Sequence, residues 1–97
     1  MLHVLVRLEV KDFGTLAQFE QQAAQIMATY GRQIVAAFET ERKADNSGKE
    51  VHLLTFPDAA AFDAYRKDPA LLALSALRSQ AIADTSVEVS LGSKVYG

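Results

Sequence analysis

QIVAAFETE-RKADNSGKE-VHLLTF, residues 33–56, decides the fold of this chain. Ile34, Val35, Ala36 and Phe38 make a strand of Gln33–Glu41, rich in the β-branched and aromatic residues that suit a pleated surface. Arg42–Glu50 is polar and carries Asp45-Asn46-Ser47-Gly48, the residue types that turn a hairpin. Val51–Phe56 is apolar at every position except His52 and Thr55, which marks a central strand covered on both faces.

Outward from this hairpin, each side repeats the same order. Upstream, Leu2, Val4, Val6, Leu8 and Val10 alternate with His3, Leu5, Arg7 and Glu9, a period of two that buries one strand face. Lys11–Gly14 breaks the alternation. Asp12 or Thr15 can cap the helix that follows, and Thr15 with Gln18 has capping-box spacing. Leu16, Phe19, Ala23, Ile26, Met27 and Tyr30 then recur at helical spacing, and Gly31 stops the helix. Downstream, Pro57 ends the strand and Asp58 caps a helix carrying Phe62 and Tyr65. Asp68-Pro69 restarts it, aspartate as cap and proline in the first turn, with Leu71, Leu74, Leu77, Ala81 and Ile82 as the apolar stripe. A last strand is expected over Val87–Leu91. The order β-α-β-β-α-β predicts an α+β ferredoxin-like sandwich, a four-stranded antiparallel sheet with its helices on one face, in a single domain over residues 1–97.

Composition narrows the chemistry. The chain has 97 residues, 49% hydrophobic and 23% charged, with a net charge of −2. No run of Lys or Arg exceeds Arg42-Lys43, which argues against nucleic acid as a partner. There is no cysteine, so disulfides, thiol nucleophiles and thiolate metal sites are excluded. No apolar run approaches the roughly 20 residues of a membrane helix, and the first residues lack the basic start and unbroken apolar core of a signal peptide. No membrane partner is expected, and the cytoplasm is the default location.

With both helices on one face, the other sheet face is bare. It carries Leu5, side chains of the third strand and part of Ile34-Val35-Ala36. A contiguous apolar patch of that kind marks an interface, and the simplest cover is a two-fold homodimer packed sheet against sheet. His3, Arg7 and Glu9 would then line or rim the space between the sheets.

The pattern Tyr65-Arg66-Lys67-Asp68-Pro69, followed by Leu77-Arg78, resembles a stretch of a small bacterial family of unassigned function in the dimeric α/β-barrel superfamily. Asp12, Phe19 and Tyr30-Gly31 fit the first helix of that family, whereas Arg32 stands where a second glycine is usual and Leu71 where an aromatic is usual. The chain is also similar to antibiotic-biosynthesis-type monooxygenases of the same superfamily. The resemblance implies a dimer, often with a pocket between sheet and helices. Superfamily members include cofactor-free oxygenases, isomerases, haem enzymes and ligand-sensing domains, so the fold leaves the chemistry open. Haem-degrading relatives use a tryptophan and a helix histidine. Tryptophan is absent here, and neither histidine falls in a helical stretch.

The candidate residues are few. His3 and His52 are the only histidines, on strands that neighbour each other in this fold. On one face they could share a metal or act as acid and base; otherwise His3 is a surface residue and His52 a bonded interior one. No carboxylate is read at ligand spacing from either, so no metal site is expected. His52 and Tyr65 are the candidate acid or base, with His52 neutral because apolar neighbours desolvate it. Ligand contacts fall to His3, Arg7, Leu54 and Arg78. Arg78 could reach a ligand carboxylate, or else pair with Asp84 or Glu88. Arg7 and Glu9 could pair on their shared face, and Tyr30 reads as structural. Glycine-rich phosphate loops and the Gly-x-Ser-x-Gly elbow are absent, and no cofactor is expected. Two functions remain: a cofactor-free oxygenase or isomerase acting on a small apolar or aromatic metabolite, or a non-catalytic dimeric module that binds a small ligand or simply assembles.

Overall fold

The computed structural model describes residues 1–97. Its elements are β1 (Leu2–Val10), α1 (Phe13–Thr29), β2 (Gln33–Arg42), β3 (Gly48–Phe56), three short helices α2 (Ala59–Arg66), α3 (Pro69–Leu72) and α4 (Ser75–Ala81), and β4 (Ile82–Val89). All neighbours in the β2-β3-β1-β4 sheet are antiparallel. This is the α+β ferredoxin-like arrangement expected from the order of segments.

Local chemistry sets the boundaries. The Asp12 carboxylate accepts the Thr15 N–H at 2.8 Å, so Asp12 caps α1 and the Thr15–Gln18 box is not used. Gly31 ends the helix at φ 76°, and a Cβ there would lie 2.7 Å from the Pro57 ring, so glycine is needed twice over. Asp58 caps α2 through the Ala61 N–H. Asp68 accepts the N–H groups of Ala70 and Leu71, with Pro69 at the first helical position of α3. The helical stretch therefore breaks at Asp68-Pro69, as proline requires.

The end of the chain differs from the sequence-based expectation. The stripe ending in Ala81-Ile82 is not one helix from Pro69, because α3 stops at Leu72 and α4 restarts at Ser75. The last strand starts at Ile82, not Val87, and ends at Val89. Ile82 pairs with Val10 across a register shift, so it belongs to the sheet while still packing beside Ala81 in the core. One apolar residue serves both elements, which is why helical spacing carried past the true boundary.

Register fixes the two sheet faces. Val4 pairs with Leu54 and Val6 with His52, so the even residues of β1 and β3 point at the helices. The core beneath the helices divides into two clusters. One holds Leu8, Val10, Phe13, Leu16, Phe19, Ala23, Met27, Ala81 and Ile82; the other holds Val4, Leu54, Phe56 and Phe62. Val6 and Tyr65 touch both.

A polar contact fastens the helix layer. The Tyr30 hydroxyl donates to the Asp68 carboxylate, tying the end of α1 to the cap of α3. This bond holds Asp68 below the usual carboxylate range and, on the other side, raises the Tyr30 phenol. A depressed carboxylate stabilises the fold above its unfolded value, and that contribution is lost as pH falls through the lower native value. A raised phenol stabilises below its unfolded value and loses this as pH rises through the native one. The contact thus operates between the carboxylate and phenol titrations, about pH 4 to 10. Tyr30→Phe is expected to lower the urea midpoint at pH 7, and the gap from wild type should shrink below about pH 4. An equal gap at pH 7 and pH 3 would show that the charge plays no part.

Candidate functional site

Between the sheet and the helix layer, where the two core clusters separate, lies a cavity of about 460 Å³. Leu8, Phe19, Met27 and Ile82 of one cluster face Leu54 and Phe62 of the other across it. The break at Asp68-Pro69 shapes one wall, for Tyr65 before it and Leu71 after it both border the space. Tyr65 stacks near Phe62 at 6.2 Å and near Phe56 at 5.3 Å, so an aromatic wall backs its phenol. Burial pushes the Tyr65 phenol up, which keeps it protonated at neutral pH and makes it a donor.

His52 forms part of the floor. Its side chain is 5% exposed, and its Nε2 lies 2.5 Å from Glu50 Oε2. An ionised carboxylate only accepts, so Nε2 carries the proton it donates. Nδ1 has no hydrogen-bond partner within the chain, yet no side-chain nitrogen or oxygen is both buried and unpartnered. The ring lines the cavity, and Nδ1 is the nitrogen that Glu50 leaves free. In the tautomer that donates from Nε2, the ring keeps its lone pair on Nδ1.

Charge at the cavity is uneven. Arg32, Arg66 and Arg78 line it, against one acid, Glu20. Arg32, with 6% of its side chain exposed, pairs with Glu20 at 3.6 Å. Arg78 pairs with neither Asp84 nor Glu88; its Nη2 donates to Thr85 Oγ1 at 2.6 Å. Arg66 lies over the Phe62 ring, 5.3 Å from its centre.

Of the residues singled out from sequence, His52, Tyr65, Leu54 and Arg78 come together at this cavity. His3 and Arg7 do not. His3 pairs with Thr55 and Arg7 with Val51, on the face away from the helices, so the two histidines cannot act on one ligand. Arg7 borders a separate depression of about 280 Å³ with Glu9, Lys49 and Asp84, and makes no ion pair with Glu9 within 4.0 Å. Glu50 corrects the expectation that no carboxylate stands near a histidine: it sits two residues before His52 on the same strand face. Even so, no three His, Asp or Glu side chains group to hold a metal ion. Glu20 and Arg32 were not visible in the sequence as site residues, since they meet across the end of α1 only after folding.

A family model matches residues 2–90, the domain of unknown function DUF1330. The chain belongs to the DUF1330 family. No curated protein matches the sequence. Among solved structures, it is similar to an RPA0582 protein from Rhodopseudomonas palustris, with 17% identity, TM-score 0.79, and 97% of this chain and 83% of that one covered. It is similar to a NIPSNAP domain protein from Burkholderia xenovorans, with 12% identity, TM-score 0.71, and 100% and 99% covered. It is also similar to SnoaB, a cofactor-independent oxygenase from Streptomyces nogalater, with 16% identity, TM-score 0.68, and 97% and 94% covered. At these identities the likeness shows the fold alone. No helix is long and apolar enough to cross a membrane.

Proposed function

We propose that this DUF1330 protein is a cofactor-free enzyme that removes a proton from a small aromatic or otherwise apolar metabolite held in the cavity between sheet and helices. The observation that carries this reading is the His52–Glu50 pair at the floor of a largely apolar cavity, with Nδ1 left free by that pairing. Nδ1 accepts the proton of an acidic C–H or phenolic O–H, and the electron pair stays on the substrate as an enolate or phenolate. Glu50 holds the ring in the right tautomer and balances the imidazolium as it forms. Tyr65, a donor, hydrogen-bonds the developing oxyanion. The apolar walls exclude water, which strengthens these interactions. In an oxygenase the electron-rich anion then reacts with dioxygen, the substrate itself supplying the electrons; in an isomerase it takes a proton back at another carbon. The likeness to SnoaB supports the first course.

The homodimer belongs to the same proposal. Leu5, Ala36, Phe38, Val51 and Leu53 share the outer sheet face by register, and Phe38 is 64% exposed. A second copy packed on this face covers them.

A ligand screen by thermal shift tests the cavity. Small phenols and 1,3-dicarbonyl compounds are expected to stabilise wild type, His52→Ala to lose that response, and His3→Ala to keep it. If a hit stabilises wild type and His52→Ala equally, His52 is a packing residue. If no compound shifts the protein, the second reading, a non-catalytic module, takes over.

A further inference from the structure

We infer that the ligand of this cavity carries a carboxylate, which Arg66 and Arg78 hold while its ring system lies against the apolar floor. The inference rests on the cavity being the ligand site proposed above and names the class of molecule that fills it.

The carrying observation is where the chain spends its arginines. It has five, at positions 7, 32, 42, 66 and 78, and as many lysines, with a net charge of −2 overall. Three of the arginines and none of the lysines line the cavity. Arginine is the cation whose planar fork matches a carboxylate with two parallel hydrogen bonds, whereas lysine acts as a point charge.

Each charge at the cavity can be accounted for in turn. Arg32 is neutralised by Glu20. Glu50 is bonded to the His52 ring through Nε2. Arg66 and Arg78 have no carboxylate within ion-pairing distance. Thr85 holds one nitrogen of Arg78, which fixes the direction of the guanidinium and leaves its other N–H groups free. The Arg66 guanidinium carbon lies over the Phe62 ring, 5.3 Å from its centre, and no hydrogen bond from its nitrogens is made within the chain. Two arginines that line one largely apolar cavity with no carboxylate partner suit an anion attached to an apolar body. A cavity of about 460 Å³ falls in the range of small-molecule sites. An aromatic carboxylic acid of one or two rings meets both demands.

The test compares 1-naphthoate with 1-naphthamide, its uncharged isostere, by titration calorimetry on the whole chain. Wild type is expected to bind the acid and to bind the amide about tenfold to a hundredfold more weakly, the worth of a hydrogen bond to a charged group. Arg66→Gln and Arg78→Gln should each weaken the acid by about tenfold and leave the amide unchanged. Lys67→Gln, a neighbouring cation outside the cavity, should change neither. Both arginines are exposed, so the variants are expected to fold, and the acid-to-amide ratio on wild type reads the same property without any substitution. Equal affinity for acid and amide, no binding of either, or naphthoate binding indifferent to both arginine substitutions overturns the inference. His52→Gln separates this from the enzyme proposal: it should leave naphthoate binding intact. Arginine-dependent binding with no turnover of any compound would sink the enzyme and keep the carboxylate site; His52-dependent turnover of neutral phenols only would do the reverse.

Discussion

Leu53→Lys is expected to turn a dimer into a monomer or an insoluble chain. Leu53 pairs with Leu5 and Ala36, so it stands mid-sheet on the face away from the helices. Its neighbour Leu54 is buried beneath the helices and would report on the core instead. Burying the outer face contributes about 25 cal/mol per Å² of apolar area. A lysine at its centre brings an unpaired ammonium into that area, at a cost on the order of several kcal/mol per ion. Two-fold symmetry places the change in the interface twice. At about 1.4 kcal/mol per tenfold in Kd, dissociation should strengthen a thousandfold or more. Sedimentation at micromolar concentration reads the outcome. A wild type that sediments as a clean monomer removes the homodimer.

The second large effect falls on His52. His52→Gln keeps a polar group beside Glu50, which would otherwise be left half-buried and unpartnered, and so spares the fold. It removes the only imidazole that borders the cavity. The expected loss in kcat is about 10²- to 10⁴-fold, as for a general base, or about 3 to 5 kcal/mol of barrier. Glu50→Gln should lower kcat less, with KM unchanged, since Glu50 acts through the ring. His3→Ala should leave both constants alone, because His3 lies on the opposite sheet face.

Much of this architecture could be read before folding, and the reasons differ element by element. β1 was legible at both ends because its alternation is unbroken and Lys11-Asp12 stops it. The break at Asp68-Pro69 was legible because proline cannot extend a helix interior. β4 was not, since Ile82 fits both the helical stripe and the strand, and only its pairing with Val10 decides. For the site, His52 stood out as the polar residue in an apolar strand. Its partner Glu50 gives no such signal, because the apolar run starts at Val51 and Glu50 belongs by composition to the polar stretch before it. β3 in fact begins at Gly48, where a Cβ would lie 1.9 Å from the Glu41 carbonyl oxygen. That glycine lets the ladder continue two residues past Glu50. A strand begun there puts Glu50 and His52 on one face by simple alternation. Glu20 and Arg32 had no such local signal, since their meeting depends on how α1 lies across the sheet.

The decisive measurement follows electron-rich phenols and 1,3-dicarbonyl compounds in D₂O with wild type and His52→Gln, by NMR for deuterium uptake and by an oxygen electrode. Wild type is expected to deuterate or oxygenate at least one of them, with no added metal or cofactor, and His52→Gln to lose that activity while keeping its fold. Equal turnover by the two proteins, or binding by wild type with neither exchange nor oxygen uptake, would contradict proton abstraction by His52.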